Sequence, residues 1–192
     1  SRRQAPLTGK VNITNFAQFA GTPCMGSYSS NCGDVAFDIE PESGRLRFLN
    51  QQPSLGASPC HLAFDGTGRF ALVANYGGAN LAVLPILQDG KLAPAVGSQR
   101  HVGAGPNPDR QESPHPHCVL ADPFNRHVLA VDLGTDMVMA YALDPESGHL
   151  RPAQSPSAAS HPGSGPRQLE FHPGGKWAYV VHELQARVAH YA

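Results

Sequence analysis

Between positions 103 and 117 the chain reads Gly103-Ala104-Gly105-Pro106-Asn107-Pro108-Asp109-Arg110-Gln111-Glu112-Ser113-Pro114-His115-Pro116-His117. Proline and glycine restrict the backbone here, while carboxylates, an arginine and two histidines supply the chemistry. A loop so constrained holds one shape and could offer Asn107, Asp109, Arg110, Gln111 and His115 to a ligand, with His117 at its end as an acid or base. A second Gly/Pro loop, His161 to Pro166, leads into Arg167 and aims its guanidinium, whose fork of donors suits a carboxylate, a phosphate or a developing oxyanion. His182 and Glu183 close the set. A glutamate within reach of an arginine and a histidine is an acid or base whose pKa its neighbours set. Plainer readings exist: a loop that caps a strand, a packing histidine at 115, a surface carboxylate at 183. His115 and His117 lie two apart and could share a metal, but no third ligand of defined spacing accompanies them, so no metal site is expected.

These residues need elements to hold them, and the chain supplies a unit repeated three times. His61 to Asn75, Cys118 to Asp132 and Gln168 to His182 share one pattern, the first two copies offset by 57 residues and the next two by 50. Each reads as a short strand, a tight turn and a second apolar strand. The turns are Asp65-Gly66-Thr67-Gly68, Asp122-Pro123-Phe124-Asn125 and His172-Pro173-Gly174-Gly175, all of residues that tolerate turn geometry. A polar turn then leads to a third strand (Leu81 to Leu84, Met137 to Tyr141, from Val188). An outer turn recurs as Glu40-Pro41-Glu42-Ser43-Gly44, as Asp144-Pro145-Glu146-Ser147-Gly148 and, shortened, as Gln88-Asp89-Gly90.

Four antiparallel strands per unit make the blade of a β-propeller, so the predicted class is all-β. In that architecture the innermost strands line a central channel and polar residues at their ends face the ligand funnel. Cys60, His117 and Arg167 align at the start of the innermost strand. Tyr76, Leu133 and Glu183 align just past the second. At about fifty residues per blade, 192 residues hold slightly fewer than four. The expectation is therefore part of a propeller ring, with residues 1–24 as an N-terminal extension and residues 25–192 as the propeller portion.

Composition agrees. Twenty glycines and 18 prolines are about a fifth of the chain, as many tight turns require, and no long amphipathic helix pattern appears. A net charge of −1 gives no footprint for nucleic acid, and apolar runs of strand length give no membrane span. Cys60 and Cys118 fall inside repeated strands, and together with Cys24 and Cys32 they read as reduced thiols. The opening Ser1-Arg2-Arg3 is followed by a polar stretch rather than an apolar export core, so the expected setting is cytoplasmic. Exposed strand edges predict self-association.

Several motifs together resemble the seven-bladed propeller lactonases, the family of bacterial 6-phosphogluconolactonase and of the fungal enzyme that cyclises 3-carboxy-cis,cis-muconate. They are Asn107-Pro108-Asp109-Arg110-Gln111 with Pro114-His115-Pro116-His117, Asp132-Leu133-Gly134-Thr135-Asp136, Gly163-Ser164-Gly165-Pro166-Arg167 and His182-Glu183-Leu184, with Gly26-Ser27-Tyr28-Ser29 as an opening strand. The resemblance implies His117, Arg167 and Glu183 as catalytic residues. It also implies a sugar-lactone substrate, 6-phosphogluconolactone of the pentose phosphate pathway above all, and no metal or organic cofactor. On that reading Glu183 or His117 activates a water and Arg167 stabilises the oxyanion. The family usually has Asn where this chain has His182. Muconate lactonisation and a non-catalytic binding propeller are the competing expectations.

Overall fold

The computed structural model describes Val11–Thr14, residues 33–154 and residues 157–192. Strands β1 (Val11–Thr14), β2 (Gly33–Ile39) and β3 (Leu46–Pro53) form one antiparallel sheet in that order. β4 (Pro59–Phe64), β5 (Phe70–Asn75), β6 (Asn80–Pro85) and β7 (Gly97–Arg100) form the next. The third contains β8 (Pro116–Ala121), β9 (His127–Asp132), β10 (Met137–Leu143) and an outer strand in two pieces, β11 (Leu150–Pro152) and β12 (Ala158–Ala159), both paired with β10. β13 (Pro166–Phe171), β14 (Ala178–His182) and β15 (Arg187–Tyr191) form the last. The starts of β4, β8 and β13 keep the 57- and 50-residue offsets of the sequence repeat. Gly26 to Ser29, expected as an opening strand, and Cys24 and Cys32 lie outside the described residues. β1, which pairs with β2, falls within the stretch set apart as an N-terminal extension.

The turns repeat as closely as the strands. Between the first and second strands of each unit, Gly68, Asn125 and Gly175 all take positive φ (72°, 55° and 69°), the geometry for which glycine and asparagine are suited. Asp65 and Asp122 close their turns by accepting backbone N–H groups, from Thr67 and Phe70 and from Phe124 and Arg126. His172 does so in the last unit, its Nδ1 3.0 Å from the Gly174 nitrogen. Asn125 also joins two units: its amide oxygen accepts from the Gly66 N–H and its NH2 donates to Asp65.

Packing is face to face between consecutive sheets. The pleat of β5 sends Phe70, Leu72 and Ala74 against Val119, Val128 and Ala130 of the following sheet, and Ala71 and Val73 towards Ala36 of the preceding one. The pattern repeats one sheet on, where Cys118, Val131 and Val138 pack on Leu169, Ala178 and Val180. The two middle sheets are thus covered on both faces, and the last on one. Leu81, Val138 and Val188 occupy one position of the repeat and are 0%, 5% and 67% exposed. Ala74, Val131 and Val181 show the same trend.

The cost of truncation should follow coverage. Leu81→Ala is expected to lower unfolding free energy by about 3 kcal/mol, and Val188→Ala by no more than about 0.5 kcal/mol. Urea denaturation of the two variants compares them directly.

Candidate functional site

Each innermost strand begins with a proline and then slips register. Pro59, Pro116 and Pro166 pair with Asn75, Asp132 and His182, and the ladder resumes at His61, Cys118 and Gln168, leaving Cys60, His117 and Arg167 as the extra residues of three bulges. Proline lacks the N–H a continuous ladder would need, so it is tolerated at a strand's first residue. The bulge after it re-aims a side chain away from the alternating pleat. Three residues of different chemistry are thereby presented at one depth.

The Gly103–His117 loop is fastened from beneath. Gln111 is completely buried; its NH2 donates to the Leu133 carbonyl at 2.8 Å and its side-chain oxygen accepts from the Asn107 N–H at 3.2 Å. The Asn107 side chain in turn accepts the Asp109 N–H in an Asx turn. At the loop's far end the buried Asp132 carboxylate accepts the N–H groups of His115 (2.8 Å) and Thr135 (3.1 Å), and its other oxygen lies 2.6 Å from His101 Nδ1. His101 Nε2 meets the Tyr141 hydroxyl at 2.9 Å. The loop runs so close to Gly134 that a Cβ there would fall 1.9 Å from the Ser113 carbonyl oxygen. Glycine is the residue that fits.

Asp136 positions the second loop. It sits at positive φ (56°) and accepts the N–H groups of Gly163 at 2.6 Å and Gly165 at 2.8 Å, fixing the run into Pro166 and Arg167. Arg110 and Arg167 then converge on Glu183: Arg110 Nη2 lies 2.6 Å from one carboxylate oxygen, and Arg167 Nη1 is paired with the other. Tyr76 completes the group, lying beside Arg110, stacking on His115 at 4.2 Å between ring centroids and meeting His117 edge-on at 5.6 Å.

The electrostatics assign different capacities to Glu183 and His117. Burial would raise the Glu183 pKa, but hydrogen bonds and charges from Arg110 and Arg167 outweigh it and hold the carboxyl below its ordinary value. It is an ionised carboxylate already engaged by two cations, a poor proton acceptor. Burial lowers His117 below the ordinary imidazole value, with Arg167 and Arg110 acting the same way and Glu183 opposing. Its ring is neutral at pH 7 and free to accept a proton. Among the described residues, no group of three or more His, Cys, Asp or Glu side chains could hold a metal ion.

The structure therefore brings together His117, Arg167, Glu183, Arg110 and His115. Three expected ligand contacts are engaged within the protein. The buried His115 ring has Nδ1 3.1 Å from the Tyr76 carbonyl and Nε2 3.0 Å from Glu112. Gln111 is enclosed and uses its amide to pin the loop. His182 is 3% exposed and turns its Nε2 to Ser160 Oγ at 3.0 Å, inside the sheet. The repeat explains that placement. Its equivalents Asn75 and Asp132 also reach back to the segment before their own innermost strand, at Ser54 and His115. Asp109 is exposed beside Arg110, and Asn107 is partly buried in its turn. Tyr76 was missed as a site residue, although its alignment with Glu183 was the available signal. The buried tethers Asp132 and Asp136 stand in one of the motifs of the resemblance, but neither composition nor spacing gives their role as tethers.

Comparison with known proteins agrees with this geometry. Residues 24–192 match the family model described as lactonase, 7-bladed beta-propeller. The chain is 43% identical over 156 residues to the 6-phosphogluconolactonase of Bacillus subtilis (strain 168), covering 81% of this chain and 43% of that protein. A solved structure from Bacteroides fragilis NCTC 9343 superposes with a TM-score of 0.81 at 34% identity, over 95% of this chain and 50% of the other. The periplasmic gluconolactonase PpgL of Pseudomonas aeruginosa does so with 0.80 at 34% identity, over 87% and 47%. The chain spans about half the length of these relatives.

By NMR, the His117 ring is expected to titrate below 6.5. Arg167→Ala removes a positive neighbour and should raise that midpoint. Glu183→Gln removes the opposing negative charge and should lower it further.

Proposed function

The chain belongs to the seven-bladed β-propeller lactonase family, and from that premise we propose that it serves the hydrolysis of a sugar lactone, with 6-phosphogluconolactone opened to 6-phosphogluconate. The observation that carries the reading is the convergence of Arg110, Arg167 and Glu183 beside a neutral histidine at the ends of the innermost strands. The name of the Bacillus subtilis relative supports the substrate. The setting proposed is the cytoplasm, in keeping with the free thiols of Cys60 and Cys118.

In this mechanism His117 takes a proton from water as the water oxygen bonds to the lactone carbonyl carbon. The carbonyl electron pair moves onto its oxygen, and Arg167 donates hydrogen bonds to the resulting oxyanion. Collapse re-forms the carbonyl and breaks the ring C–O bond, and protonated His117 returns its proton to the departing alkoxide. The products are a carboxylic acid, which gives its proton to solvent and ionises, and a hydroxyl. Glu183 touches both arginines and orients them, while Tyr76, stacked on His115, meets His117 and lies beside Arg110. A second reading, an unphosphorylated gluconolactone as substrate, is favoured by the name of the Pseudomonas aeruginosa relative.

The test is the rate of 6-phosphogluconolactone loss above spontaneous hydrolysis. The chain should accelerate it, Arg167→Ala should reduce that acceleration by about a hundredfold or more, and Glu42→Gln should leave it unchanged. No acceleration by the unaltered chain overturns the proposal for this chain. Equal acceleration of gluconolactone selects the second reading.

A further inference from the structure

One carboxylate shared by two guanidiniums leaves most of the donors unused. Each guanidinium carries five N–H groups. Glu183 engages one nitrogen of each. The side chains of Arg110 and Arg167 stay 41% and 48% exposed, against 22% for Glu183. Two positive charges and one negative leave an accessible cationic surface beside a neutral His117. An anion that enters meets donors already aimed, with Glu183 as its competitor.

The two ion pairs differ in how they are built. Arg167 and Glu183 belong to one hairpin, since Pro166 pairs with His182 across the ladder. Their partnership is local and backbone-enforced. Arg110 instead reaches Glu183 from the loop of another sheet, 73 residues away in sequence. The loop's backbone is pinned by the buried Gln111 next to it, so only side-chain rotation is needed to release that contact.

We propose that Glu183 is a resident counter-ion which a phosphate monoester displaces from Arg110, so that Arg110 is the phosphate receptor while Arg167 stays paired with Glu183 and faces the reacting carbonyl. A phosphate monoester brings close to two negative charges and three acceptor oxygens where Glu183 offers one charge divided between two cations, and it matches the guanidinium fork bidentately. Displacement returns one Glu183 oxygen to solvent. The identity of the natural ligand, a phosphorylated sugar, rests on the lactonase reading; the counter-ion exchange does not.

The test is calorimetric titration of inorganic phosphate at fixed ionic strength, which needs no turnover. Glu183→Gln should bind phosphate about fivefold more tightly, the worth of one partly exposed ion pair, and Arg110→Ala should lose at least that much. Glu170→Gln removes an equal charge three residues from Arg167, at an exposed position outside either ion pair, and should change affinity less than twofold. Should Arg110→Ala lose its cooperative unfolding transition, Arg110→Lys keeps the charge without the fork and should still weaken binding. Unchanged or weaker binding in Glu183→Gln overturns the proposal, as does equal tightening in Glu170→Gln, which would mean a long-range field. The phosphate pattern without lactone hydrolysis leaves the counter-ion standing and removes the lactonase reading. Hydrolysis with phosphate binding indifferent to Arg110 does the reverse.

Discussion

A sheet that buries both faces has no surface left on which to do chemistry. In β5 every position is committed to one neighbour or the other: even residues to the following sheet, odd ones to the preceding sheet. Hydrophobic burial is non-directional and scales with area, so this stacking tolerates varied side chains provided the pleat is kept. Polar function is then confined to strand ends and the loops that join them. The proline-led bulge is the local answer, because it breaks the alternation at the one place where a side chain can leave the stack without opening it.

The repeat made much of this legible. Aligning Asn75, Asp132 and His182 located the end of the second strand, and aligning Cys60, His117 and Arg167 located the start of the innermost one. What alignment could not supply was direction. His182 and Glu183 are adjacent in sequence, yet His182 ends β14 and turns into the sheet towards Ser160, while Glu183 opens the turn that follows and meets the arginines. Gln111 misled for a related reason: a polar side chain in a Pro-rich loop satisfies either a ligand or the loop's own backbone, and only burial distinguishes them. Tyr76 was hidden because its contribution is three contacts at once, to His115, His117 and Arg110, none of which is encoded by spacing.

The same limit applies to chemical role. Sequence types allow Glu183 and His117 equally as bases. The environment separates them, since two cations stabilise the charged form of one while burial and those cations disfavour the charged form of the other. Neighbouring groups are thus set to opposite protonation behaviour, Glu183 by the arginines and His117 chiefly by burial. The arginines themselves come from different sheets, so their meeting depends on two loops being held at the same height, which is the work of the buried Asp132 and Asp136 carboxylates.

Arg167 and Glu183 both stand on the sheet whose far side, at Tyr179, Val181 and Val188, is open. Local order in a protein is graded, and a half-covered sheet fluctuates more readily than one enclosed on both sides. Whatever occupies the Arg167–Glu183 end and whatever rests on the Tyr179 side therefore draw on a common reserve of conformational entropy: each stiffens a sheet the other would otherwise have to stiffen. Where both events stiffen that sheet, linkage requires that each favour the other, although no atom passes between them. In such an arrangement, completing the stack and seating the ligand are two ends of one equilibrium.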